Sequence, residues 1–375
     1  MNSPQALITG NGDQRQTLVA VFLRGAADGL ALVPPIEDDN YYRARPRIGI
    51  AKKEAVRLDG FFGFHPQLAA LAPAFASGDL AIIHGAGSED QTRSHFEAQD
   101  LMEHGGVAAG GWLGRFLRAR PAPASGALAC VAVGKALPEC LLGAPTVTVM
   151  QTLDDFALAA KRPGLRPELE RLYEMERGPL GSAARDTFDA LQRIDRMRSV
   201  PYEPSNGATY ANDEFSDGLR QIARLIRADV GLEAASIDLD GWDSHFTQQT
   251  LLTPLVERLG AGLAAFYRDL GPRMATTSVV VMTEFGRRVR ENSAFGTDHG
   301  RGSVMFVLGG GVKGGRIHGP WAGLKDDLLE GPGDLPVSNN YRDVLAPVLL
   351  RHGATTEQLG GIFPGFPVNP LSLYS

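Results

Sequence analysis

Cysteine is scarce in this chain: Cys130 and Cys140 are the only two among 375 residues. Their spacing suits neither a zinc ribbon nor a disulfide-stapled scaffold, so at most one bridge joins them. Long apolar stretches are missing as well, and no run approaches the roughly 18 residues of a membrane span. Positive charge is not in excess, because 37 Lys and Arg stand against 43 Asp and Glu for a formal net charge of −6. A nucleic-acid face needs the opposite balance, so that class of partner is excluded. Met1 to Gln16 is polar, without the apolar core of a secretory signal, and the chain as it stands reads as cytoplasmic.

What is present is an ordinary globular composition, 43% hydrophobic and 21% charged, with 45 glycines and 24 prolines for tight loops. The pattern is that of alternating strands and helices. Thr17–Leu23, Leu80–His84, Ala127–Val133, Ala234–Leu239, Thr277–Met282 and Ser303–Leu308 are short apolar runs of the kind buried on both faces of a parallel sheet. Between them lie helical patterns at Gln67–Ser77, Phe96–Met102, Gly111–Arg120, Glu214–Ala228, Leu251–Leu270 and Tyr341–His352. The sequence therefore predicts a three-layer α/β/α sandwich with a mostly parallel central sheet, one domain over residues 17–375. Residues 153–207 are charged and helical without a strand-like run, which reads as a helical insertion. Pro34 to Gly60, with Tyr41, Tyr42 and four arginines, reads as a surface excursion at the rim of a site.

Two glycine patterns spell a dinucleotide fingerprint, Gly260 to Ala265 and Gly309 to Gly314. The first has no strand before it. The second has no helix after it to meet a pyrophosphate and reads as a glycine-rich hairpin.

The chemistry-bearing residues collect at strand ends, where open α/β sheets bind their ligands. Asp28 follows the first strand in Ala-Asp-Gly-Leu, and Asp243 and His245 follow the fourth in Gly-Trp-Asp-Ser-His. Glu284 follows the fifth, while Asp298 and His299 precede the sixth. Carboxylates and imidazoles in this mixture suit one divalent ion, or two about 4 Å apart, with zinc, manganese or magnesium favoured because no thiolate takes part. Ser94, three residues before Glu97, matches a capping box, and a hydroxyl there also faces the free N–H groups that hold anions. Arg93 and His95 flank it, and Arg93 has the fork geometry to clamp a phosphate or sulfate.

The order of these motifs resembles the alkaline-phosphatase-like superfamily of phosphatases, sulfatases and phosphoglycerate mutases. More narrowly, LRGAADGL, RSHFEAQDLME, GWDSH, MTEFGRRVREN, GTDHGRGSVM and LPVSNNYRDVLA resemble one bacterial family, the domain of unknown function fifteen-oh-one. Members are often exported by the twin-arginine route, so a periplasmic location follows if such a leader has been removed. The resemblance implies a metal-dependent hydrolase acting on small-molecule or polymeric esters of phosphate or sulfate. It implies metal ligands at Asp28, Asp243, His245, Glu284, Asp298 and His299, and a nucleophile at Ser94, with Thr92 second. Arg93 and Arg287 would hold the oxyanion, with His95 beside them. Glu284-Phe285 replaces the superfamily's usual Asp-His pair, which implies that one metal site is either weak or rebuilt around Asp298. Neither cysteine heads the signature that directs formylglycine formation. The rival from another class is a catalytically silent relative that binds a polymer or protein partner through the same cleft.

Overall fold

The computed structural model describes residues 16–120, 126–154 and 164–374. Its main sheet has nine strands: β1 (Thr17–Arg24), β2 (Leu80–Gly87), β3 (Cys130–Val133), β4 (Thr148–Met150), β5 (Ala234–Asp240), β6 (Thr277–Met282), β7 (Ser303–Gly309), β8 (Arg316–His318) and β9 (Asn339–Asn340). Across the sheet the order is β8-β2-β7-β6-β1-β5-β3-β4, with β9 added at the end of β2. All pairings are parallel except those of β7 with β2 and β6.

Strand β1 runs down the middle, and its side chains alternate between two cores. Val19, Val21 and Leu23 pack with residues of α5 (Glu214–Arg227) and α6 (Gln248–Leu270) on one face. Leu18, Ala20 and Phe22 pack on the other with α2 (Trp112–Ala119), α7 (Tyr341–Arg351) and α8 (Thr356–Ile362). A continuous apolar run with both faces covered is what an interior parallel strand requires. The molecule is thus a three-layer α/β/α sandwich, as the sequence predicts. Between β4 and α5 lie α3 (Leu165–Glu174) and α4 (Pro179–Arg198), and α4 buries Ala190, Leu191 and Ile194. Residues 155–163 of the segment read as an insertion, and nearly all of the polar lead, lie outside the described residues. A further helix, α1 (His95–Glu103), follows β2.

Several expectations change. The glycine stretch after β7 is not a hairpin, because β8 lies beyond β2 rather than beside β7. The loop crosses the end of β2 instead: Gly315 N–H donates to Leu80 O, and a side chain on Gly314 would collide with the Leu80 backbone. The Gly260 pattern lies within α6, where Gly260 lets Leu68 approach and Gly262 lets Phe215 approach. The segment 34–60 is not merely superficial, since Tyr41 and Arg45 are fully buried. Residues 127–129 precede β3 as a turn, with Ala129 N–H bonded to Gly126 O. Both cysteines are buried and free. Among the described residues no helix is long and apolar enough to cross a membrane.

Two buried histidines couple this fold to pH. Burial pushes His84 down to about 4 and His352 down to about 3. In the unfolded chain such groups take up protons near 6.5, so below that pH the unfolded state binds more protons than the folded one. Stability from this source is complete above about pH 6.5 and declines as pH falls toward 4. Denaturant midpoints measured in chelator at pH 7 and pH 5 should be lower at pH 5, and His352→Asn should flatten the difference; an unchanged pH slope in that variant would clear His352 of the role.

Candidate metal centre

The carboxyl ends of β1, β2, β5 and β6 share one edge of the sheet, and antiparallel β7 begins at that same edge. Five chain segments therefore meet there. The turn after β1 is threaded tightly against the one after β5. Gly25, at φ +114°, has its missing Cβ only 2.6 Å from Asp243 N, so any side chain would push the two apart. Likewise a Cβ on Gly300 would lie 2.4 Å from Arg287 C, where the 286–288 and 298–301 segments pair.

Onto this frame the chain delivers His95 from the first turn of α1, Asp243 and His245 from the turn after β5, and His299 from the loop before β7. Ligand atoms of His95, Asp243 and His299 all lie within 4.8 Å of one another. His245 adjoins them, its Nε2 3.0 Å from Asp243 Oδ1 and 2.8 Å from His299 Nε2. His95 Nε2 is 3.4 Å from Asp243 Oδ2, and His299 Nε2 is 3.4 Å from Asp243 Oδ1.

The outer nitrogens decide what these inner atoms are. His95 Nδ1 lies 2.9 Å from the Glu284 carboxylate, which can only accept, so the ring donates from Nδ1. His299 Nδ1 lies 2.9 Å from Arg93 O and donates there for the same reason. In their neutral forms His95 and His299 carry their lone pairs at the inward Nε2, and His95 Nε2 is buried without a hydrogen bond. Asp298 sits behind His245, its Oδ1 3.7 Å from Nδ1. Imidazoles whose far N–H is held by a carboxylate or backbone carbonyl are the usual form of a metal-ligating histidine. Zinc bonds of roughly 2.0–2.1 Å place ligand atoms about 3.3 Å apart, close to the 3.4 Å that separates each of His95 Nε2 and His299 Nε2 from an Asp243 oxygen; His245 stands beside this group of three. Acceptors facing acceptors at such spacing fit a divalent ion.

Charge is arranged to suit. Burial would raise Asp243, yet the Arg287 guanidinium and the neighbouring imidazoles outweigh it and hold the group down at about 2. Burial likewise opposes ionisation of Glu284, but hydrogen bonds from His95 and Gln99 leave it below the usual carboxylate range. The Glu284 bond raises His95, against the effect of burial, while burial and the charge of Arg287 lower His299.

Of the residues predicted from sequence, Asp243, His245 and His299 come together with His95, which was placed with the nucleophile instead. Glu284 and Asp298 stand behind imidazoles. Asp28 is elsewhere: its oxygens accept from Arg45 at 2.6 and 3.1 Å, from Gln248 Nε2 at 2.6 Å and from Leu30 N–H at 3.1 Å. The predicted oxyanion clamps are committed too. Arg93 donates to His299 O and Asp334, and buried Arg287 donates to Asp243 and to the carbonyls of Gly25, Ala26, Trp242 and Thr297. Ser94 caps α1, accepting from Glu97 N–H at 3.5 Å, but the box is not reciprocal, because Thr92 holds the Glu97 carboxylate. Sequence reasoning missed Arg45, Gln99, Gln248 and Arg288. Gln99 carried a signal, since it lies one helical turn beyond His95 and so on the same face. A cleft of about 800 Å³ is lined by Arg24, Phe96, Gln99, Glu103, Asp238 and Asp240 among others, and Gln99 links it to the cluster through Glu284.

Fold and site together define an α/β/α protein with a histidine–carboxylate cluster at the carboxyl edge of its sheet. The chain belongs to the family described as "Protein of unknown function (DUF1501)", whose model matches residues 83–365. No curated protein matches it by sequence. Among solved structures it is similar to the PsFucS1 sulfatase from Pseudoalteromonas sp., at 10% identity and a TM-score of 0.40, covering 92% of this chain and 69% of that one. It is also similar to the phosphonate monoester hydrolase of Agrobacterium radiobacter, at 9% identity and 0.35, over 81% and 70% of the two chains. The alkaline phosphatase from the Antarctic bacterium TAB5 follows at 11% identity and 0.27, over 80% and 93%.

Two substitutions test this assignment of roles. Arg45→Met should cost about 3–5 kcal/mol in chemical denaturation, because it strands the Asp28 charge in the interior, and Asp28→Asn in the same chain should recover much of the loss. Glu284→Gln should weaken divalent-ion binding by roughly 10–100-fold in calorimetric titration, since His95 loses the carboxylate that orients it. Unchanged affinity would detach Glu284 from the centre.

Proposed function

We propose that this chain is a metal-dependent hydrolase of phosphate or sulfate esters, working at the His95–Asp243–His245–His299 cluster. The observation that carries the reading is the convergence of His95, His299 and the Asp243 carboxylate, with His245 against them, at the mouth of the sheet. A divalent ion there supplies Lewis acidity and positive charge to an ester oxygen. His95, His245, His299 and Asp243 would hold it. Glu284 and the Arg93 carbonyl orient the His95 and His299 rings.

Ser94 is the candidate nucleophile. It immediately precedes a ligand, and its hydroxyl lies at the N-terminus of α1, where free backbone N–H groups favour a developing negative charge. The rest of the ester, a small molecule or one unit of a polymer, would lie in the neighbouring cleft against Phe96, which is 84% exposed. A second reading, a silent relative that binds its partner through this cleft, is favoured by one observation: Arg287 is buried and fully bonded, and both terminal nitrogens of Arg93 are held by His299 O and Asp334.

Aryl phosphate, phosphodiester and sulfate esters, assayed with added zinc, manganese or magnesium, separate the two. Asp243→Ala should lose both bound metal and turnover. Ser94→Ala should keep its metal and lose on the order of a hundredfold or more of the rate if the hydroxyl attacks. As a cap alone it should cost only about 1 kcal/mol of stability at unchanged turnover. A metal-loaded protein inert toward every ester class would leave the silent reading standing.

A further inference from the structure

We propose that the centre takes a single ion of the zinc class through three imidazole nitrogens and one carboxylate, and that Arg287 is the fixed second cation of the site. This rests on the metal-site part of the hydrolase reading and adds the number and kind of ion.

Donor count comes first. Two overlapping sets of three can be drawn, His95 with Asp243 and His299, and His245 with Asp243 and His299. Both depend on His299 Nε2, and one nitrogen lone pair makes one bond. Asp243 cannot serve two ions freely either, because its Oδ1 already accepts from Arg287 Nη2 at 2.8 Å. Among the described residues no spare carboxylate completes a second set. Glu284 Oε1 accepts from Gly25 N–H, Gln99 and His95, and its Oε2 from Thr283. Asp298 is held by Arg288 at 3.1 Å and Asn292 at 3.2 Å, and Asp28 is sealed with Arg45.

Charge leads to the same number. Three carboxylates touch the ligands or belong to them: Asp243, Glu284 and Asp298. Two guanidiniums answer them, Arg287 on Asp243 and Arg288 on Asp298. Arg93 is balanced by Asp334. The sum is −1, so one divalent ion brings the centre to +1, a charge that suits an anionic ester. Two would bring +3 into a partly buried site with no compensating group, which is costly. Arg287 is wholly enclosed and bonded on every side, so it acts as a built-in cation that cannot leave and cannot reach a substrate.

The donors also select the kind of ion. Magnesium and calcium prefer six or more oxygens, whereas three imidazoles and a carboxylate suit zinc and its borderline neighbours. The set needs no water-rich octahedron.

The test is a count. Full-length protein is stripped with chelator, reloaded with excess zinc, magnesium or manganese separately, freed of unbound ion by gel filtration and analysed by elemental mass spectrometry, with calorimetric titration in parallel. The expected result is one zinc per chain and no retained magnesium, with His95→Ala and His245→Ala each weakening zinc roughly tenfold or more. Replacement by cobalt(II) should give the intense visible bands of a four-coordinate centre. Two zinc ions per chain, or magnesium retained in preference to zinc, would overturn the proposal while leaving a metal-dependent hydrolase in place. One zinc without ester hydrolysis would uphold it and remove the hydrolase. No retained ion of any kind would end both.

Discussion

The guanidinium of Arg287 is the constraint on which the site depends. It reaches from the segment after β6 and donates to carbonyls of the turn after β1, the turn after β5 and the loop before β7, and to the Asp243 carboxylate. Three turns that would otherwise be joined only through the sheet are thereby held to one rigid planar group. A lysine could satisfy the charge but not the fork, because its three donors radiate from a point on a flexible stem. The clamp also explains why the turn after β1 needs Gly25, whose N–H serves Glu284 and whose carbonyl serves Arg287. Both faces of one peptide segment are used, and no side chain fits between.

Much of the fold was legible because its signal is local. Thr17–Leu23 and Thr277–Met282 are apolar without interruption, which only a strand covered on both sides tolerates, and the amphipathic stripe of α5 is equally plain. The direction of β7 was not legible, since periodicity says nothing about which way a strand runs. The fate of the glycine loop after β7 depends on that direction and was misjudged with it. Asp28 was misassigned for a related reason. Its local context, Ala-Asp-Gly, suits a ligand turn, and the arginine that claims it lies 17 positions away in a stretch with no regular pattern.

Within the cluster, some residues named from sequence meet and others stand behind them. Asp243, His245 and His299 are together, but the third imidazole is His95, and Glu284 works through it. That distinction belongs to geometry, because a carboxylate at a strand end can face an ion or the back of a histidine with the same neighbours in sequence. Arg93 is instructive in another way. Its side chain was expected to hold an anion, and it is instead the main-chain carbonyl of Arg93 that fixes the His299 ring, a function that residue identity does not encode.

The four inward donors lie at positions 95, 243, 245 and 299, from segments separated by most of the chain. Strands β1 and β2 find their sheet partners only from residue 234 onward, and the cluster has no partial form that resembles the finished one. His299 is still inside the ribosome when α6 is complete, and Arg287, which aligns the turns, emerges only shortly before it. The cluster is therefore complete only after translation of at least the first 299 residues, and it is assembled by the fold instead of nucleating it.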